Sequence, residues 1–284
     1  MTKPKIIPLL LIVAFGSAIV AARGLPLGVT LAGIIAAGSI ASAGALTLNS
    51  YLEIDVDSKM RRTRNRPLPS QRIVPASHAL VMGLVLVAMG VAIAFLMLNL
   101  LATFFIALGA FIYVPIYTVW LKPRTSWNIV LGGFAGSCAA LAGWYAVNGL
   151  DLTGESFVVA WTLAALVFVW TPSHFWSLAV ITEQDYSAAG IPMLPSLLGS
   201  AAASRYIVAN TLLLIPVSLL FSIYLNGVGL WLYIILTAIL GLLLLWTNLK
   251  LLRSPTKENA WLAFKFSSPY LAVIFLVAMV AAIL

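Results

Sequence analysis

Charge is scarce in this sequence. Asp, Glu, Lys and Arg together account for 8% of its 284 residues, whereas 62% are hydrophobic and the mean hydropathy is +1.07. The chain is long enough for one large or two small soluble domains, but soluble domains carry about a quarter of their residues as charges. The composition therefore excludes an ordinary soluble protein and indicates a chain that lies mostly within a membrane.

Other absences narrow the function. The single cysteine, Cys138, lies inside an apolar run, which excludes a disulfide framework and a thiolate metal site. The sequence has no Walker phosphate-binding loop, no G-x-S-x-G nucleophile motif and no zinc-ligand spacing. It also lacks the alternating segments of about ten residues that build a membrane β-barrel.

Long apolar runs fill most of the chain, and nine of them approach the length of about 20 residues that crosses a bilayer as a helix. They cover approximately residues 6–22, 27–50, 74–97, 99–120, 127–147, 157–180, 205–224, 228–249 and 266–284. Because helices satisfy their own backbone in lipid, we predict an all-α polytopic membrane protein with a single transmembrane domain over residues 1–284. The first run could pass for a signal peptide, but we interpret it as a retained first helix.

The cations divide unequally between the two sides of this predicted bundle. Of the 16 Lys and Arg residues, all except Arg23 fall on the side that holds the N-terminus. The positive-inside rule makes that side cytoplasmic, and nine spans then place the C-terminus outside. The net charge of +8 reflects this topology, so no nucleic-acid partner is needed to explain it. We expect a multi-pass protein of the cell membrane whose polar loops face the cytoplasm.

Acidic residues recur in the cytoplasmic loops. The loop at 51–73 and the loop at 181–204 both carry carboxylates, and they lie four helices apart. This recurrence suggests two related four-helix halves plus one extra helix.

The first acidic loop includes most of the stretch NSYLEIDVDSKMRRTRNRPLP at residues 49–69. If the second helix continues past the membrane surface, Asn49, Glu53 and Asp57 fall on one face at i, i+4 and i+8, and Asp55 points elsewhere. Carboxylates at this spacing repel each other unless a cation lies between them. An oxygen-only set of ligands suits Mg²⁺, so we predict a magnesium site on this face.

Arginines crowd the residues that follow this face. Protein-bound Mg²⁺ commonly bridges to substrate phosphates, and Arg61, Arg62, Arg64 and Arg66 offer the geometry that binds phosphate oxygens. Acids and cations together predict a clamp for a metal-bound diphosphate. The alternative is a positive-inside loop whose acids serve solubility.

The second acidic loop contains TEQDYSAAGIPMLP at residues 182–195, with Glu183 and Asp185. Gly190, Pro192 and Pro195 prevent a continuous helix and predict a shaped loop. A carboxylate site opposite the first would let two Mg²⁺ ions hold one diphosphate, and stabilising that leaving group permits an allylic C–O bond to ionise. The alternative is a solvated loop with incidental acids.

A histidine lies within the sixth predicted span, in WTPSHFW at residues 170–176. Pro172 should kink the helix there. An ionisable residue within a span, here His174, is a functional hypothesis by default. The alternative is a structural ring that is hydrogen-bonded to a neighbouring helix.

The stretch YVPIYTVWLKPRTSWN at residues 113–128 surrounds the end of the fourth span. Tyr113 and Tyr117 are typical of interfacial anchors. Lys122 and Arg124 are either diphosphate contacts or plain determinants of topology.

Four blocks together resemble the intramembrane prenyltransferase superfamily typified by 4-hydroxybenzoate polyprenyltransferases. They are TKPK at 2–5, the stretch at 49–69, YTVWLKPRTSWNIVLGGFAGS at 117–137, and WTPSHFW with DYSAAGIPMLP. Within the superfamily they are most similar to the protoheme IX farnesyltransferases. The resemblance covers residues 2–195.

The resemblance implies a fold of nine helices around a central cavity that opens to the cytoplasm and laterally to lipid. It implies a Mg²⁺-dependent transfer of the farnesyl group of farnesyl diphosphate to a vinyl group of protoheme IX, with addition of water, to give heme O. The lipid bilayer is then a partner, heme A synthase is the implied downstream partner, and no nucleic acid is involved.

The resemblance also implies roles for individual residues, with Glu53, Asp57 and Asp185 as the catalytic acids. Mg²⁺ is implied at Asn49, Glu53, Asp57, Glu183 and Asp185, diphosphate at Lys5, Arg61, Arg66, Lys122 and Arg124, and the heme substrate at His174. The sequence departs from the family pattern at Glu53, where an aspartate is usual; the longer side chain still supplies carboxylate oxygens.

Two other functions stay open on the sequence alone. Another superfamily member would prenylate a quinone precursor or a lipid headgroup, although WTPSHFW favours heme. A transporter of an anionic lipid or organic phosphate is the non-enzyme alternative. Transporter sites usually lie near the bilayer midplane in broken helices, whereas the acids here lie at one surface.

Overall fold

The computed structural model describes residues 2–3, 6–152 and 154–284, and these residues form helices joined by loops, with no strand among them. In chain order the helices are α1 (Ile7–Ala22), α2 (Gly28–Leu52), α3 (Ile54–Lys59), α4 (Ser77–Met97), α5 (Leu100–Phe111), α6 (Asn128–Gly132), α7 (Phe134–Asn148), α8 (Gly154–Ile181), α9 (Glu183–Ala188), α10 (Leu194–Leu198), α11 (Ser200–Leu219), α12 (Gly227–Arg253) and α13 (Lys257–Ile283). A π-helix at Ile112–Leu121 continues α5, and a 3₁₀-helix at Leu220–Tyr224 continues α11.

The predicted all-α membrane fold is confirmed, and the predicted number of about nine spans agrees approximately with the described part of the chain. Eight helical segments are long and apolar enough to cross a membrane, and α1 is a further, shorter apolar helix of 16 residues. The predicted ends are less accurate, since α11 begins at Ser200 and α13 at Lys257. Hydropathy marks where a chain leaves lipid, whereas backbone hydrogen bonding continues a helix into the polar region beyond.

The spans form a closed ring. Each span contacts the next one along the chain, and the last helix, α13, contacts α1. Contacts between α1 and α7 and between α8 and α13 also join helices that are not neighbours along the chain. Because successive spans run in opposite directions, the two acidic loops meet at one end of the ring, which we call the loop end.

Glycine lets two of these helix pairs approach backbone to backbone. A Cβ on Gly143 of α7 would lie 1.9 Å from the carbonyl oxygen of Ala14 in α1, and one on Gly90 of α4 would lie 2.5 Å from the backbone nitrogen of Ala41 in α2. Small residues are what membrane helices use for such close packing. A larger residue at Gly143 or Gly90 would therefore force the two helices of that pair apart.

A buried hydrophobic cluster supports the loop end from within the bundle. Met60 of the first acidic loop belongs to it, together with Tyr186 and Met193 of the second loop and Trp176 of α8. The two loops thus share one apolar base, which fixes the polar groups above it relative to each other.

Candidate active site

The junction between α2 and α3 carries three polar side chains on one buried face, Asn49, Glu53 and Asp57, which we call the acidic row. Their exposed fractions are 1%, 6% and 3%, whereas Asp55 is exposed. The prediction of a shared face is thus confirmed, but the prediction of one continuous helix is wrong. α2 ends at Leu52, and Glu53 has φ −102° and ψ 16° before α3 begins.

Backbone hydrogen bonds preserve the helical spacing across this break. The Glu53 N–H donates to the Asn49 carbonyl at 3.0 Å, and the Asp57 N–H donates to the Glu53 carbonyl at 2.7 Å. Each partner is four residues back, so the row keeps one face although α2 ends at Leu52.

Each member of the acidic row contacts one cation, and the three cations come from separate segments of the chain. The Lys3 ammonium donates to Asn49 Oδ1, the Lys122 ammonium to Glu53 Oε1, and Arg66 Nη1 to Asp57 Oδ2 at 2.8 Å. Buried carboxylates are costly unless they are paired. Within the row, the chain itself therefore supplies each buried carboxylate with a cationic partner.

The loop after α3 folds back to bring Arg66 to the row. The Thr63 hydroxyl donates to the Asp57 carbonyl at 2.9 Å, and the Ser70 hydroxyl donates to the Arg66 carbonyl at 2.7 Å. These two local bonds turn the backbone on either side of Arg66, which leaves its guanidinium facing Asp57. The side chain of Arg61, in the same loop, is exposed.

Asp185 ties the second acidic loop to the first. Its two carboxylate oxygens accept the backbone N–H groups of Arg61 at 3.2 Å and Arg62 at 3.3 Å. Glu183 instead accepts the Ser200 hydroxyl at 2.5 Å. Asp185 thus binds backbone groups of the first loop, and Glu183 binds a hydroxyl at the start of α11. No three His, Cys, Asp or Glu side chains of the described residues converge as metal ligands. Their roles as ligands of a second metal stay predictions.

The π-helix brings Lys122 and Thr118 towards α2. The Lys122 N–H donates to the Tyr117 carbonyl at 2.8 Å, five residues back, which is the spacing of a π-helix. The Thr118 hydroxyl likewise donates to the Tyr113 carbonyl at 2.8 Å. Asn49 Nδ2 in turn donates to the Thr118 hydroxyl at 3.0 Å. π-Helices are rare and recur at functional sites. Here one connects the fourth span to the acidic row.

The two lysines at the row differ in their electrostatic setting. Burial lowers the pKa of Lys3 to about 8, although the Glu53 carboxylate acts in the opposite direction. Burial also acts to lower the pKa of Lys122, but the adjoining Glu53 carboxylate and Tyr186 outweigh it and hold that pKa above its usual value. Lys122 is thus the more firmly charged of the two.

Arg124, a further predicted cation, binds the backbone of its own segment rather than the row. Arg124 is exposed, and its Nη1 donates to the carbonyl oxygens of Val119 and Trp120, both at 2.9 Å, at the end of the π-helix. Lys5 lies outside the described residues. Diphosphate binding by Lys5, Arg61 and Arg124 stays a prediction.

His174 lies in the packed core of the bundle. Its ring stacks between those of Trp170 and Phe264, with distances between ring centroids of 4.4 Å and 4.6 Å. Its Nδ1 lies 2.6 Å from the Ser267 hydroxyl of α13. This is the arrangement that the structural alternative predicted, a ring hydrogen-bonded to a neighbouring helix. Contact of His174 with heme stays a prediction.

Pro172 does not end α8, because a side chain from α11 bridges the gap that it makes. The Asn210 amide accepts the Ser173 N–H at 3.0 Å and donates to the Val169 carbonyl at 3.0 Å. A side chain inserted into the backbone ladder in this way is a recognised cause of helix bending.

Two clefts lie on either side of the acidic row. One, of about 210 Å³, is lined by Lys3, Asp57 and Arg66. The other, of about 230 Å³, is lined by Glu53 and Lys122 together with apolar residues. Each cleft thus has one carboxylate and its cation on its wall, and a ligand in either cleft would meet both charges.

Comparison with known proteins identifies the family. The model of the UbiA prenyltransferase family matches residues 9–281.

The chain belongs to this family.

Curated relatives of this UbiA prenyltransferase share one name. This chain is 47% identical over 280 residues to protoheme IX farnesyltransferase 1 of Cenarchaeum symbiosum, and the alignment covers 96% of this chain and 91% of that protein. It is 43% identical over 283 residues to the protoheme IX farnesyltransferase of Sulfurisphaera tokodaii, covering 97% of this chain and 89% of that protein.

Solved structures share the same fold. A structure described as digeranylgeranylglyceryl phosphate synthase matches with a TM-score of 0.78 and 18% identity over 100% of this chain and 96% of that one. A UbiA homologue from Archaeoglobus fulgidus bound to DMAPP and Mg²⁺ matches with a TM-score of 0.73 and 14% identity over 100% and 97%. At these identities the similarity shows the fold alone.

Sequence reasoning does not identify two residues at the site of this UbiA prenyltransferase. Lys3 precedes the first span, where a cation is expected to determine topology, although it belongs to the TKPK block. Thr118 contacts Asn49 only because the fourth span ends in a π-helix, and no local pattern in the sequence predicts that helix. The signal for Lys3 was present, whereas none was present for Thr118.

Proposed function

We propose that the protein transfers the farnesyl group of farnesyl diphosphate to a vinyl group of protoheme IX and so makes heme O. The observation that carries this proposal is a buried, cation-paired acidic row between two clefts, in a chain that is 47% identical to a protein named protoheme IX farnesyltransferase 1. The names of the relatives support heme as the acceptor, because the row alone is common to any diphosphate enzyme of this fold.

The donor set at the row fits Mg²⁺. Asn49, Glu53 and Asp57 offer one amide oxygen and two carboxylates on one buried face, and a hard cation prefers such oxygen ligands. We propose that these three residues hold the ion. We also propose that Asp185 supplies the acid on the opposite side of the site, where it binds the backbone of the first loop. When bound, Mg²⁺ supplies positive charge that stabilises the departing diphosphate.

Arg66 and Lys122 bind diphosphate oxygens that Mg²⁺ does not hold. Arg66 lines one cleft and Lys122 the other, so a diphosphate lying across the row would meet both. The allylic C–O bond breaks, and its electron pair leaves with the diphosphate. The farnesyl carbon then bonds to the vinyl group, water adds to the adjoining carbon, and one proton is released.

We also propose that the loop end faces the cytoplasm in the cell membrane, with residues 1–284 acting as one domain. On the topology predicted from the sequence, all the Lys and Arg residues except Arg23 fall on the side of the two acidic loops, which supports a cytoplasmic loop end under the positive-inside rule. The product, heme O, is then available to an enzyme that oxidises it further, such as heme A synthase.

The test is a reconstitution with purified protein in lipid nanodiscs. Farnesyl diphosphate, Mg²⁺ and protoheme IX should give a product with the mass of heme O, and chelation of the metal should stop its formation. Replacing protoheme by an aromatic acid or a lipid headgroup acceptor tests the alternative prenyltransferases. Flux of substrate across the bilayer without Mg²⁺ and without product would instead indicate a transporter.

A further inference from the structure

Lys3 differs from the other two cations of the acidic row. Lys122 and Arg66 each bind a carboxylate, whereas the Lys3 ammonium binds the neutral amide oxygen of Asn49, across 46 residues of chain. Charge pairing alone therefore does not explain its place.

The hydrogen bonds around Asn49 fix which of its atoms faces Lys3. The Thr118 hydroxyl donates its proton to the Tyr113 carbonyl, so it can only accept from Asn49 Nδ2. The amide oxygen must then point to the opposite side, where the ammonium lies. This oxygen is the one that a metal held by the acidic row would need, and Lys3 occupies it.

The charges at the row favour this interpretation. Glu53 and Asp57 contribute two negative charges, and Lys3, Arg66 and Lys122 contribute three positive ones. A divalent ion alone would enter a site that already carries an excess of positive charge. A diphosphate ester brings about three negative charges near neutral pH, so the charges cancel when metal and diphosphate are present together.

We propose that Lys3 is a tethered cation that occupies the metal position at Asn49 and makes metal binding conditional on diphosphate. When metal and diphosphate bind together, the ammonium leaves Asn49 Oδ1 and pairs with a diphosphate oxygen in the cleft that Lys3, Asp57 and Arg66 line. This inference rests on the proposed function, since it takes the acidic row as the metal and diphosphate site.

Lys3→Met tests it, because it removes the ammonium and keeps an unbranched side chain. Binding of Mn²⁺ alone to purified full-length protein is measured from the electron paramagnetic resonance signal of the free ion. Binding of radiolabelled pyrophosphate is measured separately in excess Mn²⁺. We expect Mn²⁺ alone to bind about tenfold more tightly to Lys3→Met than to the unaltered chain, and pyrophosphate to bind about tenfold more weakly, a coupling of ordinary size.

The opposite signs of these two changes distinguish the proposal from simpler roles. A purely structural lysine would weaken both affinities, and a lysine that only contacts diphosphate would leave Mn²⁺ binding unchanged. Lys3→Arg should behave like the unaltered chain in both measurements. Lys257→Met, which removes an exposed lysine at the start of α13, should also change neither.

Unchanged or weaker Mn²⁺ binding by a folded Lys3→Met protein would overturn the inference and leave the proposed function standing. If the unaltered chain bound no pyrophosphate in the presence of Mn²⁺, the acidic row would not be the metal and diphosphate site, and both would fail. Unfolding temperature and gel filtration establish that each variant is folded.

Discussion

The Arg66 guanidinium lies 2.8 Å from the carboxylate of Asp57, nine residues back along the chain. Asp57 is buried, whereas Arg66 keeps 28% of its side chain exposed. The pair therefore separates into a buried acid that belongs to the acidic row and a cation that can turn to a ligand in the adjoining cleft. This division of roles makes the two residues separable by mutation.

Asp57→Ala should lower heme O formation by roughly 100-fold or more, the usual effect of losing a group that stabilises developing charge. The fold should survive, because the Arg66 side chain left behind is partly exposed and can be hydrated. Heme O is measured by mass spectrometry in the reconstituted assay, with the unfolding temperature measured on the same preparation. A folded variant with full activity would rule out the acidic row as the metal site.

Lys122→Met should destabilise the protein by about 3 kcal/mol, because it leaves the buried Glu53 carboxylate without its partner. Glu53→Gln combined with Lys122→Met removes both charges, so it should regain most of this stability while staying inactive. Thermal unfolding in detergent and heme O formation are measured for all three proteins. If the double variant were as unstable as Lys122→Met, the buried charge would not be the cause of the loss.

Asp185→Ala should release the loop that follows α3. Trypsin cleavage after Arg61, Arg62 or Arg64 should become about tenfold faster, because the loop loses two hydrogen bonds to a charged group, each worth about 1.5 kcal/mol when buried and less here. Mass spectrometry of the fragments identifies the cleaved bonds. Asp55→Ala is the matched control, since it removes an exposed acid from the neighbouring helix. Equal cleavage of the two variants would contradict the link between the loops.

Gly132→Ala should displace the Tyr117 ring, since a Cβ at this position would lie 2.5 Å from the ring carbon Cδ2. Overpacking of this kind typically costs about 1–3 kcal/mol, and it should also lower activity, because Tyr117 lies in the π-helix that ends beside Lys122. Stability and heme O formation are compared with those of Gly28→Ala, where a Cβ meets nothing within 4 Å. Similar results for the two variants would show that the packing of Tyr117 is unimportant.

The sequence predicts the spans well because a helix in lipid must be apolar over its whole length. It predicts the face shared by Asn49, Glu53 and Asp57 because helical spacing survives the break at Glu53. It does not predict the break itself, the π-helix or the Asn210 bridge at Pro172. These three features depend on contacts between segments that are distant in the sequence, and a local sequence pattern does not predict such contacts.

The prediction for Asp185 illustrates the same limit from the side of chemistry. The sequence indicates an acid close to the first loop, and the structure places it there. Its partners, however, are the backbone N–H groups of residues 61 and 62, which look the same for every residue type. A sequence pattern predicts a metal ion or an arginine side chain as the partner of such a carboxylate, and it does not predict backbone N–H groups.

The placement of the three cations at residues 3, 66 and 122 has a consequence for how the protein is made. All of them, and the acidic row that they neutralise, belong to the first 122 residues of 284. Charges left unpaired at a membrane are costly. During synthesis, the three cations that contact the row have all been added to the chain once Lys122, the residue after the fourth span, is in place. The ring itself cannot close until α13 emerges and reaches α1, so the charged centre can be neutralised long before the bundle around it is finished.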